Sequence, residues 1–401
     1  MKILMLCSTF PYPPTRGGTQ VRTFNLLQHL IDNHSVTLIT QLADDVTQQE
    51  ITELSAITDL IVFPPPTKVK RGVWGKIQRF IRFFLQGTPP NVMYLYSREI
   101  QQWVDEAVTT GKFDVITCEH SVNEVYIRRE WREKIKTLVN IHSSVYLSCK
   151  NQLATGTSEN KLRDRLYLPL LKRYEQNFLS KFSHIIVTTT EDQQQLQSLQ
   201  QNANISVIPN GVNLTIFPLR NTDPGGHNLI ITGGMDYLVN IDAACFFSLY
   251  IFPLLQQKYP DTKLNIVGSK PAPAVLNLTK NPAITVTGRV PSMVEYLHQA
   301  TVCVVPMRTG FGIKNKTLEA MAAGTPVVGS DRGLEGLVID GFNIPKRALR
   351  ANNIDEYLTA ISCLFENANL RSELSHNARS FIEQEYTWEI VGDRYEQVIV
   401  S

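Results

Sequence analysis

The stretch TVCVVPMRTGFGIKNKTLEAMAAGTPVVGSDRGLEGL, residues 301–337, decides how this chain folds. Thr301 to Pro306 is a short apolar, β-branched run that predicts a buried parallel strand, ended where Pro306 denies the ladder a donor. A polar, glycine-bearing turn follows. From Ile313 to Ala323 the apolar residues Ile313, Leu318 and Met321 recur at helical spacing, Gly324 is placed as a C-cap, and Thr325-Pro326 breaks the chain before a second strand, Val327 to Ser330. In such a unit the loop and the helix start lie beyond the carboxyl ends of the strands, where backbone N–H groups and the helix dipole favour an anion. Arg308, Lys314 and Lys316 surround that start, a place where cations are ordinarily disfavoured, and an anionic ligand such as a diphosphate resolves the conflict. Glu319, one turn after Lys316, is placed to accept two hydroxyl hydrogen bonds, as from a ribose diol; the spacing fits an i,i+3 ion pair on a solvated face equally well.

Lys316 to Val328, KTLEAMAAGTPVV, resembles the donor-site signature of GT-B glycosyltransferases, above all glycosyltransferase family 4, and the wider block from Gly310 to Gly336 is similar to a bacterial branch of it. The resemblance implies that Glu319 is the second Glu of an E-x7-E motif and binds the nucleotide ribose. The first Glu of that motif, which contacts the donor sugar, falls on Phe311. The family's phosphate-binding Arg and Lys, counted from Gly234, fall on Met235 and Asn240, which leaves Arg308, Lys314, Lys316 and the N–H groups of the loop Gly310, Phe311, Gly312 and Ile313 for the diphosphate. Arg289-Val290 resembles the family segment whose backbone frames the nucleobase.

Length and composition agree with an enzyme of two cores. At 401 residues the chain exceeds one ordinary core. Its 43% hydrophobic and 19% charged content is that of a globular protein, and the net charge of +2 gives no basis for a nucleic-acid partner. The six cysteines are scattered without C-x-x-C spacing, which predicts buried free thiols in a reducing, cytoplasmic setting rather than disulfides or a metal site. The apolar run after Lys2 is too short for a signal peptide and predicts a first strand; Ala243 to Leu255 falls short of a membrane span.

The first half repeats the logic of the second. Strand Ile3 to Ser8 and helix Thr19 to Leu30 bracket FPYPPTRGG, where a dinucleotide fingerprint is absent but Gly17-Gly18 brings bare backbone near a helix N-terminus, with Arg22 on its first turn. A plain flexible loop fits these residues too; the P-x-x-G-G-x-x-x-R pattern also resembles the N-terminal loop of family 4, whose glycines face donor and acceptor. Strands predicted at Phe113 to Cys118 and Leu138 to Ile141 deliver His120 and His142 at their carboxyl ends. The resemblance implies that His120 faces the donor sugar, with His142 as runner-up and Arg22 on the acceptor side. Residues 68–85 interleave six cations with apolar residues, a pattern compatible with peripheral contact at the inner face of a membrane or with a core-facing helix whose basic side is solvated. Asn151 to Arg165 reads as a mobile loop, and Phe381 to Val400 as a terminal helix.

The expectation is therefore an α/β protein of GT-B architecture, two Rossmann-like domains facing across a cleft: 1–213 on the acceptor side, a linker at 214–228, 229–378 on the donor side, and 379–401 packing back on the first domain. The resemblance implies a retaining hexosyltransferase that uses a UDP- or GDP-sugar as co-substrate, needs no other cofactor and no metal, and acts on a glycan, lipid-linked or small-molecule acceptor. His120, Lys316 and Glu319 are its candidate catalytic residues. A GT-B type nucleotide-sugar epimerase and a catalytically silent binding subunit are the alternatives, the second favoured by Phe311, Met235 and Asn240 standing where donor ligands are usual.

Overall fold

The computed structural model describes residues 1–65, 80, 81, 83–85, 87–142 and 144–401. The chain divides into two compact units, Met1–Pro209 with Val391–Ser401, and Asn210–Ile390. Each is built on one parallel sheet. In the first unit β1 (Lys2–Cys7), β2 (Ser35–Gln41), β3 (Asp59–Phe63), β4 (Val115–Glu119), β5 (Lys136–Asn140), β6 (His184–Val187) and β7 (Ile205–Val207) lie in the order β3-β2-β1-β4-β5-β6-β7. In the second, β8 (Asn228–Thr232), β9 (Lys263–Val267), β10 (Ile284–Val286), β11 (Val302–Val305), β12 (Val327–Gly329) and β13 (Leu349–Arg350) take the order β10-β9-β8-β11-β12-β13. Both sheets run outward from a central pair and reverse direction there, between β1 and β4 and between β8 and β11. At such a switch point the loops leaving the two strands diverge to opposite faces and open a crevice above the carboxyl ends.

The second sheet shows why its strands are apolar throughout. Side chains alternate across a strand, so each face needs its own cover. Ile230, Cys303, Val305 and Val327 point to one core, which Leu318 and Met321 of the helix Asn315–Ala322 complete. Leu229, Ile231, Val302, Val304 and Val328 point to the other, against Phe247, Ile251, Phe252 and Leu255. Each such side chain contributes roughly 1.5–3 kcal/mol by leaving water. The latter cover comes from a helical run, Leu238–Lys258, which is long and apolar enough to cross a membrane by length and composition. Its apolar inner face is instead consumed by the sheet, as expected for a helix in an α/β layer.

Three expectations change. Asn151 to Arg165 is not a loop: a helix Val145–Thr155, N-capped by Ser144 Oγ, ends at Gly156 (φ 74°), and Asn160 caps the next helix, Lys161–Leu179. The first helix is held from outside its own sequence, because the buried Glu175 carboxylate accepts hydrogen bonds from Ser144 Oγ and from the Tyr146 backbone N–H. The terminal helix is two, Ala368–Glu385 and Trp388–Val400, parted where Tyr386 accepts from the Val212 N–H at 2.8 Å and Thr387 bridges Val212. Segment 214–228 is pinned within the second unit, Arg220 donating to the Ala300 carbonyl at 3.1 Å and Arg371 Nε to Asp223 at 2.8 Å. Most of segment 68–85 lies outside the described residues; within it Phe83 is buried against Cys149 and Leu171, while Ile81, Phe84 and Leu85 are exposed.

Candidate functional site

In the second unit the switch point is lined by two glycine loops and one helix start. Gly233 follows β8 with φ 140°, and a side chain there would meet Lys316 Nζ at 2.8 Å. Gly268 after β9 lets the backbone of the two loops touch, since a Cβ on it would fall 1.7 Å from the Gly233 carbonyl oxygen. Gly268 N in turn donates to the Gly288 carbonyl, which sets the exposed Arg289 and the half-buried Val290 beside these loops. After β11 the turn through Gly310 (φ 133°) and Gly312 (φ 72°) leads past half-buried Phe311 and buried Ile313 into the helix Asn315–Ala322, whose N-cap position, Lys314, supplies no side-chain cap. Thr317 and Leu318 N–H close on the Lys314 carbonyl, so among the described residues the N–H groups of Asn315 and Lys316 are the ones left for another acceptor.

The three cations near this start differ sharply. Arg308 forms an ion pair with Asp242 and lies over the Phe246 ring at 5.0 Å. Lys314 is buried, bonded to the Gly312 carbonyl and 3.2 Å from Glu335 Oε2, a carboxylate that also meets Arg332. Lys316 has no such partner. Among the described residues its ammonium touches only Asn240 Oδ1 at 2.6 Å and Met307 Sδ at 3.9 Å, and burial lowers its pKa from 10.5 to about 8. The side-chain carboxylate of Glu319, one turn on, makes no hydrogen bond or ion pair among the described residues, and burial raises its pKa to about 7 against the opposing pull of Lys316. A carboxylate and an ammonium, both desolvated and both short of partners, thus share one helix face. Of the diphosphate cations expected from sequence, only Lys316 carries an uncompensated charge.

Sequence reading noted Asn240 as a departure from the family pattern and missed its role. It occupies the place of the family lysine, and it bonds both Lys316 Nζ and the Gly234 carbonyl, at 2.8 Å, so it aims one cation rather than supplying another. Met235 is fully buried in the core. Within the second unit Asn210 Nδ2 donates to Asn315 Oδ1, at the start of this helix, at 2.7 Å.

In the first unit Gly17 precedes the helix Gly18–Ile31 and has no side-chain cap, with extended backbone. Arg22, the acceptor-side candidate, is turned into the protein. It is 2% exposed and donates to the Pro209 and Ile208 carbonyls and to Asn140 Oδ1 at 2.8, 3.0 and 3.0 Å. Asn140 passes the network to Glu119, whose buried carboxylate also accepts from Thr117 at 2.8 Å and Tyr395 at 2.7 Å. Burial lowers Arg22 to about 10 and raises Glu119. This cluster locks the ends of β4 and β5, the two strands that deliver His120 and His142.

His120 is held at φ 92°, a left-handed conformation that a non-glycine residue adopts at a cost, of the kind found where a side chain must be aimed. Its Nδ1 accepts from the Val122 N–H at 3.3 Å, so the ring proton resides on Nε2. The ring stands edge-on to His142, with centroids 5.1 Å apart. Burial lowers His120 to about 4 and His142 well below its ordinary value, so both are neutral near pH 7. His142 Nε2 has no partner.

Comparison with known proteins follows this division. Residues 16–216 match the model of Glycosyltransferase Family 4, and residues 226–367 match that of Glycosyl transferases group 1. An uncharacterized 44.6 kDa protein in the cps region of Klebsiella pneumoniae is 21% identical over 96% of both chains. Among solved structures, sucrose-phosphate synthase from Thermosynechococcus elongatus superposes with TM-score 0.72 at 17% identity, covering 99% of this chain and 98% of its own. S. aureus TarM, in complex with UDP and alpha-GlcNAc-glycerol, gives TM-score 0.70 at 13% identity over 100% of both chains. With two doubly wound parallel units and a family model spanning each, the chain belongs to glycosyltransferase family 4 and has the GT-B fold.

Proposed function

We propose that the protein moves a hexose from a nucleoside diphosphate sugar, UDP- or GDP-linked, to an acceptor hydroxyl, with retention at the anomeric carbon and without a catalytic metal. The observation that carries this reading is a pair of groups on one helix face that form no ion pair among the described residues, the Glu319 carboxylate and the Lys316 ammonium, the latter aimed by Asn240. Ionised Glu319 accepts from the two ribose hydroxyls. Lys316 and the first N–H groups of the helix Asn315–Ala322 meet the diphosphate, where negative charge grows as the anomeric C–O bond breaks and its electron pair leaves with the phosphate. The acceptor oxygen bonds to the same face of the sugar, and its proton passes to the departing phosphate oxygen. Neutral His120 offers Nε2–H to a donor-sugar hydroxyl. The UDP complex of TarM supports a uridine donor, and the Klebsiella relative in a cps region supports a glycan acceptor. A lipid-carried acceptor would place the enzyme at the inner face of a membrane, with exposed Ile81, Phe84 and Leu85 toward it.

The test is isothermal titration of UDP and GDP into wild type and Glu319→Gln. Loss of two hydrogen bonds to a charged acceptor, each about 1.5–3 kcal/mol, should weaken binding tenfold or more. Because the carboxyl titrates at about 7 and the ribose prefers its ionised form, wild-type affinity should rise between roughly pH 6 and 7.5 more steeply than the variant's. Equal affinity in the two proteins would remove Glu319 from the site. Binding without sugar transfer or release would point to the silent subunit.

A further inference from the structure

The two ends of the chain meet in a cluster that glycosyl transfer does not use. His29 lies in the last turn of the helix Gly18–Ile31, about 16 Å along its axis from the glycine loop at the other end. Its Nε2 is 3.0 Å from Glu396 Oε2 and 3.4 Å from Asp393 Oδ1, and the three donor atoms lie within 4.8 Å of one another. Asp393 and Glu396 are an i,i+3 pair on the helix Trp388–Val400. Glycine at 392 is required for this approach, since a Cβ there would fall 2.4 Å from His29 Nδ1. The second carboxylate oxygen is steadied from outside: Glu396 Oε1 is 2.9 Å from His34 Nε2 and 3.2 Å from Asn33 Nδ2, and His34 Nδ1 is 3.2 Å from the terminal amine of Met1.

We propose that His29 Nε2, Asp393 Oδ1 and Glu396 Oε2 form a site for one zinc-class divalent cation, with water in the remaining position, and that the ion fastens the last helix to the first within this unit. Tetrahedral zinc with bonds of about 2.0–2.2 Å sets its donors roughly 3.2–3.5 Å apart, so the two spacings from His29 Nε2 need to change by only a few tenths of an ångström, and the two carboxylate oxygens, within 4.8 Å of each other, close onto the ion by rotation of the exposed Asp393 side chain. An imidazole beside two carboxylates suits zinc, cobalt or nickel and disfavours magnesium and calcium, which take oxygen donors. His34 and Asn33 act on the carboxylate as outer partners, a role whose loss typically costs 10–100-fold in affinity.

Titrating zinc into the chelator-treated full chain, with magnesium and calcium as comparisons, tests this calorimetrically. One equivalent of zinc should bind with a micromolar or tighter dissociation constant, raise the melting temperature, and slow amide exchange in residues 391–400; magnesium and calcium should do none of these. Asp393→Asn, at a side chain 66% exposed, should fold normally and weaken zinc at least tenfold, His34→Ala should weaken it about 10–100-fold, and His29→Ala should abolish it. Absence of saturable zinc binding, or binding undiminished in Asp393→Asn, overturns the proposal.

Discussion

Replacing Lys316 by methionine should separate stability from ligand binding. The lysine titrates at about 8 in the folded chain against 10.5 as its ordinary value, with desolvation the main cause. A cation with a depressed pKa makes the folded state bind fewer protons than the unfolded one between those values, so wild-type stability should increase as pH rises from about 8 to 10.5 and be flat below 8. The shift of about 2.5 units corresponds to at most about 3.4 kcal/mol of penalty at pH 7. Against it stands the hydrogen bond to Asn240, about 1.5–3 kcal/mol for a charged donor, which the variant also loses. The two nearly cancel, so Lys316→Met should change unfolding free energy by no more than about 1–2 kcal/mol, in either direction, and lose the alkaline rise. Its UDP affinity should fall about 10–150-fold, the equivalent of one charge-assisted contact to the diphosphate at about 1.5–3 kcal/mol. Urea unfolding at pH 7 and 9.5, paired with UDP calorimetry, measures both. A variant destabilised by 3 kcal/mol or more with undiminished UDP affinity would show that Lys316 is a structural strut and refute the reasoning.

Two further substitutions probe the supports. Gly233→Ala places a Cβ 2.8 Å from Lys316 Nζ at φ 140°, so UDP binding should weaken at least tenfold and stability should drop by about 1–3 kcal/mol; wild-type calorimetric and unfolding curves would show that the loop backbone does not set the lysine. Tyr395→Phe removes a donor to buried Glu119 and should cost about 1–3 kcal/mol of stability in chemical unfolding while leaving UDP affinity unchanged; a large affinity loss would tie that network to nucleotide binding.

Elements with a local signal were legible. Val302–Val305, Asn315–Ala322 and Val327–Gly329 announce themselves by apolar runs, helical spacing and a Thr-Pro break, each within a residue or two of the expectation. What sequence could not carry was pairing across distance. The helix Val145–Thr155 depends on Glu175, 31 residues beyond Ser144 and 29 beyond Tyr146, and a polar surface run looks the same whether or not such a carboxylate caps it. Arg22, expected on the first turn of its helix, is the fifth residue of the helix Gly18–Ile31, at the start of the second turn, and its burial depends on carbonyls 186 and 187 residues away. Likewise Arg308 and Lys314 read as free cations because Asp242 and Glu335 are remote in the chain.

That last failure sharpens the site instead of weakening it. A cation at a helix N-terminus opposes the dipole, and the chain relieves the conflict twice internally, with Asp242 for Arg308 and with Glu335 for Lys314. It does not do so for Lys316, although Glu319 stands one turn away: Lys316 is held by the neutral Asn240 and forms no ion pair among the described residues, and burial lowers Lys316 and raises Glu319. Had the two formed a direct ion pair, Lys316 would have risen and Glu319 fallen, the opposite of what burial imposes. A structure that pairs the neighbouring cations with carboxylates and leaves a half-buried carboxylate and a half-buried ammonium on one helix face without an ion pair suits a ligand with hydroxyl donors at one end and negative charge at the other.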